Sequence, residues 1–499
     1  MSNPKAAEIS EGQSKIFRNT SYLTGAFVLQ KIISFVYYTV VVDHIGVSKT
    51  GAYDPIKSLI PIALILIDFS LSAVITREIA RNPGSTKTYL GNVLGIKLIF
   101  SLVVLAAFGL VTNFGSFSQE VQSSLYLVAL IVAFDTFTLT FFAILRGLQN
   151  MKYEALGMIV NQLIAVGMGY AALRMGFGMR GVFFATVIAS VVNFFWSMLA
   201  VRRYAKIWPK IMWDKNLIIL LLKLALPFAV AAMLTKVYTY TDRYLLLAFK
   251  GSTSVAYYAI AHKLTFALEF LPSAFAASLF PAMSAYFITS KYKLELTFEK
   301  AVFYMMIISI PISIMIMVLA NGIIDLAFPR FHSAVHPLQV LILSLPVIFM
   351  NFPVGTLLNA VNKTKLTTLN MAITVLVNLS INALLIKRFS YMGSAFATLV
   401  SGITLFGLGL YWVNKQIKVP FKSLFKKLIR AYIPAIIAGL AVCPLRGEFS
   451  FKILGREASV VALIILYFII YFALLFLFRG IIKSEIVDFK NSFIHKKSA

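Results

Sequence analysis

The feature that most constrains this chain is a rhythm: an apolar run of about twenty residues, a short polar turn, then another run, repeated from residue 20 to residue 478. A helix needs roughly 20 apolar residues to cross a hydrocarbon layer of ~30 Å. Backbone N–H and C=O groups in that layer must be satisfied internally, which a helix does within itself. The rhythm therefore predicts an all-α integral membrane protein. Fourteen candidate spans lie near 20–42, 55–77, 88–112, 121–145, 153–173, 181–201, 225–247, 259–281, 299–320, 337–360, 366–386, 393–414, 430–445 and 458–478. Charged residues make up only 13% of the sequence, against about 25% in a soluble domain. No connection is long enough to hold an inserted soluble domain.

Charge placement gives the orientation. The net charge of +27 first suggests an acidic partner such as nucleic acid. With the N-terminus inside, however, cytoplasmic segments carry roughly three times as many Lys and Arg as outer ones. That bias is the positive-inside rule, so both termini are expected in the cytoplasm and the chain in the plasma (inner) membrane. The charge is then spent on topology and anionic membrane lipids, and no nucleic acid is needed. The polar start, "MSNPKAAEISEGQSKIFRN", has no apolar stretch before a cleavage site, so no removable signal peptide is expected. A lone Cys443 gives no internal disulfide, and no Cys/His spacing suggests a metal or other cofactor.

The chain also repeats itself. "LRGLQNMKYEALGMI" (145–159) matches "LNAVNKTKLTTLNMA" (358–372) at an offset of 213, and "GVFFATV" (181–187) matches "GSAFATL" (393–399) at 212. "GVSKTGAY" (46–53) matches "GSTSVAY" (251–257) at 205 falling to 204. Each half holds six spans, an even number, so the halves run the same way through the membrane as parallel repeats. The expected organisation is an N-lobe over 1–201, a basic cytoplasmic linker over 202–224, a C-lobe over 225–415, and two further spans with a basic tail over 416–499. In such a fold the substrate path lies between the halves. Prolines inside spans, among them Pro61, Pro227, Pro311 and Pro353, fit either gating kinks or ordinary membrane-helix bends.

Charges at membrane depth are costly and usually functional. Lys31 in span one and Lys236 in span seven correspond at the offset of 205. Asp68 in span two has a counterpart in span eight, Glu269, about one turn from the equivalent position. The shared pattern suggests a water-filled central cavity. There the lysines would attract an anionic head group and a carboxylate would hold a coupling cation or proton. Plain Lys31–Asp68 and Lys236–Glu269 ion pairs are the bland alternative. Lys57, His262 and Lys263 sit in the first turns of their spans, where a long side chain can snorkel to water, and Lys97 could do the same at the other side. Asp242 and Arg243 could neutralise each other or neighbours, and Asp135 has no evident partner. Head-group candidates are thus Lys31, Lys57, Lys236, Arg243 and Lys263; coupling or charge-pair candidates are Asp68, Asp135, Asp242 and Glu269.

The run "DFSLSAVITREIAR" resembles the signature of the polysaccharide-transporter family, within the multidrug/oligosaccharidyl-lipid/polysaccharide flippase superfamily. "GAYDPIKSL", "TDRYLLLAFKGSTSVAYYAIAHKL" and "NKTKLTTLNMAITVLVNLSINALLIKRFSYMGSAFATLV" resemble further family segments in the same order, over about the first 415 residues. The resemblance implies two six-helix lobes around a cavity lined mainly by helices 1, 2, 7 and 8. It also implies export of a lipid-linked oligosaccharide by alternating access, with an ion gradient or membrane potential as drive. Glycan-assembly proteins are possible partners. Two positions depart from the pattern: Ser70 stands where glycine is common, and Asp43 where an arginine often closes span one. A peptidoglycan-precursor flippase, a multidrug or cation extruder of the same superfamily, and a membrane glycan polymerase or ligase remain as alternatives. Two midplane lysines speak against cationic substrates. The short outer segments near 321–336 and 446–457 offer no catalytic constellation.

Overall fold

The computed structural model describes residues 4–446 and 456–478, and among them every regular element is helical. The outer segment 447–455 and the basic tail from 479 onward lie outside the described residues. Contacts group the chain into two compact units, Met1–Tyr244 and Leu245–Ala499. The first contains α1 (Pro4–Asp68), α2 (Leu71–Arg81), α3 (Thr86–Phe114), α4 (Gln119–Gly147), α5 (Lys152–Arg174) and α6 (Gly178–Ala205). Helix α7 (Lys215–Phe266) holds the boundary between the units. The second unit continues with α8 (Phe270–Thr289), α9 (Lys291–Ala327), α10 (Val335–Leu341), α11 (Leu345–Ala360), α12 (Thr364–Phe389) and α13 (Tyr391–Gln416). It ends with α14 (Phe421–Val442) and α15 (Arg456–Leu477).

Among the described residues, twelve helical stretches are long and apolar enough to cross a membrane. Two of them, Tyr22–Asp68 with 47 residues and Lys215–Thr289 with 75, far exceed one crossing. Each is broken at a single glycine, Gly46 (φ 77°, ψ 175°) in α1 and Gly251 (φ 77°, ψ 178°) in α7. Those two glycines are partners at the offset of 205. An L-residue pays heavily for positive φ, so glycine is the residue such a break selects. The other two repeat matches also coincide in backbone: Gln149 (φ 56°) with Asn362 (φ 59°), and Gly178 (φ 55°) with Ser390 (φ 51°). The internal repeat is therefore a repeat of chain breaks as well as of letters.

Span two is not the continuous helix its hydropathy suggests. α1 stops at Asp68, Phe69 (φ 46°) and Ser70 (φ 58°) are left-handed, and α2 restarts at Leu71. Glycine would adopt such a backbone without strain, and Ser70 adopts it despite its Cβ. Span eight is interrupted too, by a 3-10 turn at Ala267–Glu269. Broken helices inside a membrane expose backbone groups, and they persist where protein or a water-lined cavity can satisfy them.

The first unit buries Leu71, Ile75 and Ile79 of α2 against Val93 of α3 and Phe141–Leu145 of α4. The segment between α6 and α7 packs onto α3. Met212 N donates to Gly91 O (3.0 Å), Asp214 N donates to Asn92 Oδ1 (2.6 Å), and a Cβ on Gly91 would lie 2.5 Å from Met212 Cγ. Asp214 also caps α7, accepting from Asn216 N and Leu217 N at 3.0 and 3.2 Å. In the second unit, α12 and α13 are stitched by buried polar groups: Asn378 Nδ2 donates to Ser401 Oγ (3.3 Å), and Trp412 Nε1 to Asn370 Oδ1 (3.1 Å). α14 is tied to α9 through Glu299, which accepts from Ser423 Oγ (2.6 Å) and Lys427 Nζ (2.9 Å).

Candidate functional site

The residues singled out from sequence fall into three settings. The first is a charged, tyrosine-lined face in the first unit. Lys236, Tyr240 and Arg243 are spaced i, i+4 and i+7, so they share one face of α7. Lys236 Nζ stands 6.0 Å from the Tyr240 ring centre, and the Arg243 guanidinium 5.1 Å from the same ring. Lys31 of α1 is exposed and close enough for its charge to act on Lys236. Both residues of the repeat-related pair thus belong to the first unit, and the charge of one acts on the other. Two cations held near each other repel unless an anion sits between them, which is the electrostatic form of an anion site.

One turn further along α7, Arg243 is buried and committed. Its Nε meets Asp54 Oδ2 at 2.5 Å, and its Nη1 donates to Thr239 O at 2.7 Å. Tyr244 OH lies 2.8 Å from Ser58 Oγ and donates to Pro55 O (3.1 Å). Lys57 packs over the rings of Tyr53 (5.2 Å) and Tyr38 (5.7 Å) instead of merely snorkelling. Sequence reasoning missed Asp54 because it stands just before Pro55, in what reads as a turn. The Tyr240–Arg243–Tyr244 spacing was the available signal. Asp242, also in α7, is 3% exposed.

The second setting is a buried ion pair away from that face. Lys97 of α3, 0% exposed, meets Asp68 Oδ1 at 2.5 Å. It donates to Thr136 O (2.9 Å) and Ser72 Oγ (3.2 Å), and Ser72 Oγ in turn donates to Asp68. The expectation that Lys97 reaches toward water is corrected. Its ammonium is enclosed, and Asp68, Ser72 Oγ and Thr136 O replace its hydration. Asp68 consequently pairs with Lys97, not with Lys31. Asp135 lies in α4, near Ser190 of α6.

The third setting is in the second unit. Lys263 lies in the last turn of α7 and Glu269 closes the 3-10 turn before α8; both are half-buried. His262 is buried and stacks on Phe266, ring centres 4.0 Å apart.

Known proteins place this geometry. The family model described as polysaccharide biosynthesis protein matches residues 16–287, more than half of the chain, and the lipid II flippase MurJ model matches 245–469. A relative from Haloferax volcanii, named "Probable low-salt glycan biosynthesis flippase Agl15", is 23% identical over 401 residues, covering 78% of this chain and 82% of that protein. In fold, the chain is similar to a lipid II flippase MurJ structure described as inward closed, with TM-score 0.73, 15% identity and coverage of 92% and 98% of the two chains. It is also similar to an inward-facing multidrug resistance MATE family transporter, with TM-score 0.65, 16% identity and coverage of 78% and 95%. The all-helical membrane fold is therefore the one these transporters share.

Proposed function

This chain belongs to the polysaccharide biosynthesis protein family of flippases, a family of transporters and not of enzymes, and on that premise we propose that it moves a lipid-linked glycan across the membrane. The substrate is a polyprenyl-(pyro)phosphate-linked oligosaccharide, carried from the cytoplasmic to the outer leaflet by alternating access. The observation that carries the reading is the face of α7 on which Lys236 and Arg243 flank Tyr240, with the charge of Lys31 acting on Lys236. Lysine suits a phosphate as a mobile point charge, and the tyrosines offer rings on which a sugar can lie. The probable function in the Haloferax relative's name supports the glycan part.

In this reading the two overlong stretches each cross twice. That brings the total to fourteen spans, with both termini in the cytoplasm of the plasma membrane and lobes separated by residues 202–224. Arg243 and Asp54 hold span seven to the start of span two, and Lys57 and Lys263, each within its own unit, are further head-group candidates. Asp68 is the charge pair of Lys97, and Asp135, Asp242 and Glu269 are the other carboxylates assigned to coupling or charge pairing. Lys31→Ala and Lys236→Ala should each abolish surface glycan in a complementation assay while the protein still reaches the membrane. Wild-type glycan in both would overturn the assignment.

A second reading is a peptidoglycan-precursor flippase, favoured by the MurJ model's match to residues 245–469. Rescue of a strain depleted of its essential lipid II flippase would select it over the first.

A further inference from the structure

Outside the charged face, the first unit holds a cavity of about 840 Å³ where three helix ends meet. α4 starts at Gln119, α5 ends at Arg174 and α6 starts at Gly178, so the cavity sits at one end of the bundle. Helix ends of spans lie at the level of lipid head groups. The volume is within the range of small-molecule sites. Its walls are apolar and open to the surroundings of the helices: Met175 is 71% exposed, Phe177 59%, Phe184 55% and Met168 41%. In a membrane those surroundings are acyl chains.

Two charges line this otherwise greasy recess, Glu120 and Arg180. Glu120 is accounted for by Lys49, whose Nζ lies 3.0 Å from its carboxylate. Arg180 is not: its Nε is buried and has no hydrogen-bond partner among the described residues. A guanidinium donor withdrawn from water and left unmatched is costly, and a phosphate is the ligand whose geometry fits its fork. With Glu120 neutralised by Lys49, the local balance is positive.

The repeat separates what the fold needs from what this cavity adds. Gly181 packs so tightly that a Cβ there would lie 2.7 Å from Ala172 Cβ. Its counterpart Gly393 is equally confined, 2.7 Å from the Leu385 backbone. Both halves keep that glycine. One residue earlier, at the same offset of 212, Arg180 of the first half corresponds to Met392 of the second. The helix junction therefore does not require a cation, and the arginine serves something else.

We infer that this cavity binds an anionic phospholipid of the surrounding leaflet, its phosphate on Arg180 and an acyl chain along Met168, Met175 and Phe184. The site is separate from the Lys31–Lys236 face and does not depend on the transported substrate. The test uses the full chain in detergent, titrated with dioleoyl phosphatidylglycerol or dioleoyl phosphatidylcholine and read by native mass spectrometry. The wild type should retain phosphatidylglycerol preferentially. Arg180→Gln should weaken that binding about tenfold, the loss of one charge-assisted contact, and leave phosphatidylcholine unchanged; Arg180→Lys should recover part of it. Ala171 is exposed on the cavity wall, so Ala171→Trp should fill the space and displace the lipid with Arg180 intact. That second variant keeps the test valid if Arg180→Gln does not fold. Equal retention of both lipids by the wild type would overturn the inference. So would wild-type phosphatidylglycerol affinity in Arg180→Gln or in Ala171→Trp.

Discussion

The two halves of the chain bend in the same places and are charged in different ones. Gly46 and Gly251, Gln149 and Asn362, and Gly178 and Ser390 carry matching left-handed backbones. Span two, by contrast, breaks through Phe69 and Ser70 and buries Asp68 on Lys97. Span eight breaks through a 3-10 turn, and the α9 that follows it carries no Lys, Arg, Asp or Glu between Ala301 and Ile324. The backbone breaks are thus common property of the repeat, whereas the enclosed Asp68–Lys97 pair is particular to one half. Features shared by both halves are those the fold cannot lose. Features of one half, such as Asp68–Lys97 or Arg180, are free to carry specific tasks.

The sharpest way to break this distinction is Lys97→Met. It leaves Asp68 buried without its cation and should destabilise the protein by about 3–5 kcal/mol, read as a large fall in thermal midpoint by fluorescence-detected size exclusion. Lys97→Met combined with Asp68→Leu imitates the apolar second half and should recover most of the loss. If the double variant is as unstable as the single one, the ion pair is no local addition to the repeat. Next in size is Arg243→Ala, which strands Asp54. The side chains are 8% and 14% exposed, so a loss of about 2–3 kcal/mol is expected, again from thermal midpoints.

Smaller effects test the shared side of the comparison. Gly46→Ala and Gly251→Ala meet no neighbouring atom within 4 Å, so their cost is backbone strain alone. It should be about 1–2 kcal/mol at each site. Closely similar shifts in the two single variants would support equivalence of the halves; a shift at only one would contradict it. Smallest is Ser70→Gly, which relieves a left-handed serine and should raise stability by up to ~1 kcal/mol.

Much of the fold was legible because the membrane imposes it. Apolar length marks the spans, and the repeat marks Gly46 and Gly251 as equivalent before any coordinate is seen. What hydropathy could not reveal is which neighbour a side chain meets. Lys97 lies eleven residues from the start of its helix and reads as a snorkelling cation, yet Asp68 and Thr136 O enclose it. The break at 69–70 has no glycine to announce it. Asp54 looks like a turn residue until Arg243, remote in sequence, closes on it. Of the site, the Lys31–Lys236 correspondence came from the repeat; the Tyr240 ring between Lys236 and Arg243 needed the helix face.

The segment that joins α6 to α7 has a practical consequence. Residues 206–214 look like the natural place to cut the chain, splice in a reporter or attach a tag, because they form a short non-helical interval between two helices. Yet Met212 and Asp214 are fastened to Gly91 and Asn92, and Asp214 starts the next helix. An insertion there would pry the interval off α3 and undo a helix start together. Split versions of the protein joined at that interval should reassemble poorly, and reporters will be better tolerated elsewhere.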